Sequence, residues 1–131
     1  MRAAIALSLI LTACASVAPP PDSAVLADRL FCGRMMPDGG SVSDDEWNAF
    51  VRDVVTPRFP LGFTVWSAHG QWRDNKTGET VREPVMIIEI LHQLTRENDV
   101  KIDEIADEYR RRFHQDAVLR VTLPARMEFI E

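Results

Sequence analysis

The sequence predicts an α+β domain in which a four-stranded antiparallel sheet carries two helices on one face, and three stretches predict it. Gly62 to His92 reads as two arms rich in β-branched and aromatic residues, joined by a polar turn. Ser43-Asp44-Asp45-Glu46 is a helix start of the capping-box type. Ile102, Ile105, Ala106, Tyr109 and Phe113 recur at the spacing of one helical face. With 131 residues, a formal charge of −5 and 46% hydrophobic residues, the chain suits one ordinary folded domain. Its basic residues are scattered among acids and form no stripe, so no nucleic-acid partner is expected.

Met1 to Cys14 has a positive start at Arg2, an apolar run from Ala3 to Leu11, and then small residues. That run is far shorter than the roughly 20 residues of a membrane-spanning helix, so it reads as a signal peptide. Leu11-Thr12-Ala13-Cys14 looks like a bacterial lipobox, after which the peptide is cut and Cys14 acylated. The alternative cut, after Ser16-Val17-Ala18, places the poor acceptor Pro19 next. The expected division is therefore a lipoprotein signal peptide over 1–13, lipidated Cys14 with a Pro-rich tether over 14–23, and a single domain over 24–131. Ala15 after the cysteine favours the periplasmic face of an outer membrane. With Cys14 acylated, Cys32 is left as a lone thiol, expected to be a buried small apolar residue.

The first strand is expected over Ala27 to Met35, with Leu30, Cys32 and Arg34 on one face. Pro37-Asp38-Gly39-Gly40 ends it as a turn. Ser43 then caps a helix whose Trp47, Phe50, Val51 and Val54 share one face, and Val42 and Trp47 occupy the two positions of a hydrophobic staple. Thr56-Pro57 is expected to stop that helix. The hairpin reverses at Asp74 to Glu79, and Pro84, lacking an amide donor, is expected at the start of the second arm. Thr95 to Asp99 reads as a polar link, followed by a helix to about His114 with Asp107–Arg111 and Glu108–Arg112 as i, i+4 pairs. Arg110-Arg111-Arg112 suits a solvated last turn. Val118 to Leu123 is the final strand. The order strand, helix, strand, strand, helix, strand gives the ferredoxin-like βαββαβ arrangement.

Candidate site residues follow from alternation. If Arg34, His69, Arg73, Glu89 and Arg120 all fall on the helix-free face, they form a cationic groove suited to a small anionic ligand. The competing reading makes them cross-strand ion pairs that keep an exposed sheet soluble. Ser67 and His69 lie two apart on a strand, about 6.6 Å, with no acid to orient the histidine, so no hydrolase triad is expected. His69, His92 and His114 fall on different elements without ligand spacing, so no metal site is expected, and no cofactor motif is present. Trp66 and Trp72 share a face and suit packing better than sugar stacking.

The runs LFCGR, VSDDEWNAFVRDVVTPRFPLGFTVWSAHGQWRD, VREPV and YRRRFHQDAVLRV resemble a family of bacterial exported proteins and lipoproteins known as domain of unknown function 3574. The resemblance covers Leu30 to Val121 and implies no activity. It directs attention to Arg34, Gly70, Gln71, Trp72, Arg73, Arg82 and Glu83. The expected function is a non-enzymatic binding or interaction module at the cell envelope, using the open sheet face and able to pair with another copy. The alternative is a small periplasmic enzyme with a dimeric ferredoxin-like pocket containing His69 and Arg34.

Overall fold

The computed structural model describes residues 24–131. The expected signal peptide, the expected lipidation at Cys14 and the expected tether therefore lie outside the described residues. Four strands form one sheet: β1 Val25–Gly33, β2 Thr64–Arg73, β3 Thr80–Gln93 and β4 Leu119–Ala125, in the order β2-β3-β1-β4 with every neighbouring pair antiparallel. The first helix, α1 Asp44–Phe50, continues through a π-helical turn, Val51–Val55, into Thr56–Arg58. The second, α2, is Arg96–Arg112. The fold is the expected ferredoxin-like one.

Both helices start at a hydroxyl cap. At α1 the capping box is complete, since Ser43 Oγ accepts from the Glu46 amide while Glu46 accepts from the Ser43 amide at 2.8 Å. At α2 the Thr95 hydroxyl accepts from the Asn98 amide, so Thr95 to Asp99 is the cap and first turn of the helix, not a link before it. The expected i, i+4 pairs at its far end are replaced by i, i+3 pairs, Asp107–Arg110 and Glu108–Arg111.

Two prolines lie inside elements, although Pro57 was expected to stop its helix and Pro84 to begin its strand. Thr56 donates from its amide and its hydroxyl to the Val51 carbonyl, five residues back, and this widened turn precedes Pro57. The proline ring, which clashes with the i−4 carbonyl of a regular α-helix, follows a turn already loosened by one residue, and the helix continues to Arg58. Pro84 lies well inside β3, paired with His69. β1 ends at Gly33, opposite Val85, so the donor that Pro84 lacks faces the place where β1 has left the sheet. There the Pro84 carbonyl accepts from the Arg34 amide, and the Arg34 carbonyl takes its hydrogen from the Val42 amide instead. β1 therefore stops two residues earlier than expected.

The core lies between the sheet and the helices. Leu30, Cys32, Ile88 and Ile90 face Phe50, Val55, Ile102, Ile105 and Tyr109, all fully buried. Trp47 is a core residue, 4% exposed. Burial pushes the Cys32 thiol up to about 12, which leaves it protonated and inert at neutral pH.

Candidate functional site

The five residues expected to share the helix-free face do not. Register places Glu89 beside Arg29 and opposite Thr64, on the open face, whereas His69 and Arg73 on β2 and Arg120 on β4 alternate onto the helix side. Four of them are engaged separately. Arg29 donates to Glu89 at 2.7 Å across the strands. Arg34 turns to the Val42 carbonyl and to Asp44 at 2.7 Å, and Arg73 donates to the Gly78 carbonyl inside the hairpin turn. His69 stands exposed on the hairpin edge beside a cavity of about 270 Å³ lined also by Gly70, Gln71, Arg82, Glu83 and Pro84. β2 and β3 pair without a bulge, so alternation within each strand holds and only the phase between strands differs. The groove for an anion loses its geometric basis.

Arg120 belongs to a buried network that alternation alone did not single out. Asp28, fully buried, accepts from Arg120 Nε at 2.9 Å and Nη2 at 3.0 Å, from the Thr122 hydroxyl, and from His92 Nε2 at 2.7 Å. His92 Nδ1 lies 2.9 Å from the Gln93 carbonyl. Both ring nitrogens thus face oxygen atoms. Burial pushes the Asp28 carboxyl up, but the hydrogen bonds from Arg120, Thr122 and His92 outweigh it and hold the group below its ordinary value. The Asp28 hydrogen bonds raise Arg120 in turn, and Arg120 also reaches Asp99 and Asp103 on α2.

A groove of about 620 Å³ opens beside this network, lined by Leu26, Leu94, Thr95, Arg96, Asp99, Arg120 and Thr122. Asp28 and His92 themselves do not line it. The network ties the edge strand β4 to β1 and α2. Its signal in the sequence was an acid and a histidine at inward positions of two apolar alternations, Leu26-Asp28-Leu30-Cys32 and Met86-Ile88-Ile90-His92.

At the opposite end of the sheet three separated motif segments converge. The Glu83 carboxylate accepts from the Trp72 indole at 3.1 Å and from the Met35 amide at 3.2 Å. It lies directly over Gly33, where an added Cβ would come 2.7 Å from a carboxylate oxygen. Gly70, opposite Glu83 on β2, is equally confined, since a Cβ there would meet Val85 at 2.8 Å. Below, the Tyr109 hydroxyl donates to the Gly33 carbonyl at 2.8 Å. Burial pushes that hydroxyl up, so it is a fixed donor.

Between these two ends, the open face is apolar. Trp66, Ile87, Phe31 and Leu119 form one row across all four strands, and Leu91, Ala27 and Leu123 form another. The Arg29–Glu89 pair lies between the rows. Trp72, Leu119 and Leu123 are 48%, 60% and 41% exposed.

Comparison with known proteins decides the family. The family described as protein of unknown function (DUF3574) matches residues 27–129. The chain belongs to the DUF3574 family. No curated protein matches this DUF3574 chain significantly. Among solved structures it is similar to a phage SAM lyase in complex with S-methyl-5'-thioadenosine, with a TM-score of 0.62, 19% identity, and 78% of this chain and 82% of that one covered. The apo state of a phage SAM lyase is similar with a TM-score of 0.58 and 19% identity, over 89% of this chain and 87% of that one. At that identity the likeness establishes a common fold for the DUF3574 domain.

Proposed function

We propose that this DUF3574 chain is a membrane-anchored interaction module of the cell envelope that works by pairing its open sheet face with a second copy. The carrying observation is the pair of apolar rows, Trp66-Ile87-Phe31-Leu119 and Leu91-Ala27-Leu123, on a face that no helix among the described residues covers. A solvated sheet face normally alternates to polar residues, and a patch of this kind marks an interface. Four strands about 4.8 Å apart and seven rungs of about 3.3 Å give a footprint of about 400 Å², before the longer β2–β3 arms extend it. A second copy suits the face because its central charges, Arg29 and Glu89, already neutralise each other, and an isologous contact needs a surface complementary to itself.

The lipid anchor rests on the Leu11-Thr12-Ala13-Cys14 pattern, and the prolines after it supply a spacer. No helix among the described residues is long and apolar enough to cross a membrane. Cys14→Ser in the full chain is expected to abolish acylation and move the protein out of the detergent-extracted membrane fraction; retention there would overturn the anchor.

The pairing is tested on residues 24–131, which hold the whole sheet and core, by sedimentation or native mass spectrometry. A dimer or closed oligomer is expected at micromolar concentration. Trp66→Lys with Leu123→Lys, both on the surface of the face, is expected to give a monomer that unfolds as cooperatively as the parent. A monomeric parent would sink the reading.

A second reading is an enzyme whose pocket is closed by apposed sheets. It draws support from the fold shared with the phage SAM lyases and from the Glu83 carboxylate at the rim of the face.

A further inference from the structure

The Glu83 corner is electrostatically incomplete. A carboxylate offers about four acceptor positions, and here two neutral donors, an indole and an amide, occupy only part of them. It is half-buried beside Gly33 and Trp72. Three arginines lie within a few residues of this corner along the chain or across the hairpin, and the fold directs each elsewhere. Arg34 is bound to the Val42 carbonyl and Asp44, Arg82 to Gln71, and Arg73 to the Gly78 carbonyl. Among the described residues no Lys, Arg or His pairs with Glu83.

Glu83 is also more elaborate than a hydrogen-bond acceptor for Trp72 requires. Its position depends on a glycine beneath it and is braced by the Tyr109 hydroxyl on the Gly33 carbonyl. On its other side, Gly70 and Ala68 leave the edge strand low between Trp66 and Trp72, so the carboxylate is reached from the open face. The Trp72 ring presents its N–H edge to Glu83, and the residue as a whole is 48% exposed, so ring surface beside the carboxylate is open to a ligand. A fixed carboxylate beside an exposed indole on an apolar floor suits a cation with apolar substituents better than a hydrated metal ion or a lysine.

We infer that the Glu83–Trp72 corner, floored by Gly33 and Gly70, is a binding site for an organic onium cation such as a quaternary ammonium group. Charge selects the sign of the ligand through Glu83, and the indole and apolar floor select its alkyl substituents. The site lies at the end of the sheet beyond Gly33, so it sits on the rim of the face proposed to pair and does not depend on that pairing.

The test follows the Trp72 indole N–H resonance of residues 24–131 by NMR during titration with choline, with its neutral carbon isostere 3,3-dimethylbutan-1-ol, and with sodium chloride. Choline is expected to shift that resonance saturably, with the neutral isostere at least about tenfold weaker and sodium chloride without saturation. Glu83→Gln keeps an acceptor for Trp72 and is expected to weaken choline by at least about tenfold. The wild-type comparison stands even if that variant folds poorly. Equal affinity for choline and the neutral isostere, no response to choline, or undiminished binding in a folded Glu83→Gln variant would each overturn the inference. A monomer that still binds choline selectively would defeat the pairing and leave this site intact.

Discussion

Replacing Asp28 by alanine is expected to destabilise the domain by about 3–5 kcal/mol, as is usual when one partner of a buried charge network is removed. The loss has named causes. The Arg120 guanidinium gives up two of its hydrogen bonds, the Thr122 hydroxyl loses its acceptor, and the buried His92 imidazole keeps only the Gln93 carbonyl. Arg120 retains Asp99 and Asp103, which limits the damage on the β4 side but leaves the β1–β3 side unsatisfied. Urea unfolding at neutral pH measures the effect; a loss below about 1 kcal/mol, the size of one ordinary hydrogen bond, would mean that the network does not act as a unit.

The same carboxyl contributes to the acid limb of stability. Its folded value lies below the ordinary 3.8, so folding binds fewer protons here than the unfolded chain does. The stabilisation is complete above 3.8 and is lost as pH falls below it through the folded value. The difference in stability between the parent and Asp28→Ala is therefore expected to shrink as pH falls below that point. A difference unchanged to pH 2 would contradict the assignment.

The parts of this fold that were legible in the sequence are those with local causes. Ser43 and Glu46 cap each other three residues apart, and Asp74 to Glu79 reverses the chain within one turn, so neither depends on distant contacts. The candidate site depended on something else. Alternation fixes which residues of one strand share a face, but placing Glu89 with Arg120 requires the phase between β3 and β4, which meet only through β1. An error of one residue in that phase exchanges the faces, and it separated Glu89 from Arg120; the register of the β2–β3 hairpin, which puts Thr64 opposite Glu89, separated it from His69 and Arg73 in the same way. Pro84 shows the same limit: its tolerance inside β3 follows from β1 ending at Gly33, which no local pattern announces. Asp28 and His92 were in principle visible, as charged interruptions of apolar alternation, because an inward charge must find its partners in the core.

Phe50→Ala is expected to cost about 3–5 kcal/mol, the usual range for a large aromatic removed from a packed core. Phe50 is fully buried, with its ring centroid 5.8 Å from Trp47, 5.1 Å from Tyr109 and 6.0 Å from Phe113. Together with Trp47, which also packs on Tyr109, it joins α1 just before the π-helical turn to Tyr109 of α2 and to Phe113 at its C-cap. Beyond the transfer of its own surface, each such pair is worth about 0.5–1.5 kcal/mol, and the aromatic partners can close only part of the cavity. The effect is expected to reach the candidate site, because Tyr109 holds the Gly33 carbonyl on which the Glu83 corner rests. Tyr109→Phe separates the two contributions: it keeps the ring packing, removes one hydrogen bond, and is expected to cost only about 1 kcal/mol. If Phe50→Ala costs no more than Tyr109→Phe in urea unfolding, the aromatic cluster is not what joins the helices. If it costs several times more and also shifts the Trp72 indole resonance, core packing and the Glu83 corner are mechanically one unit.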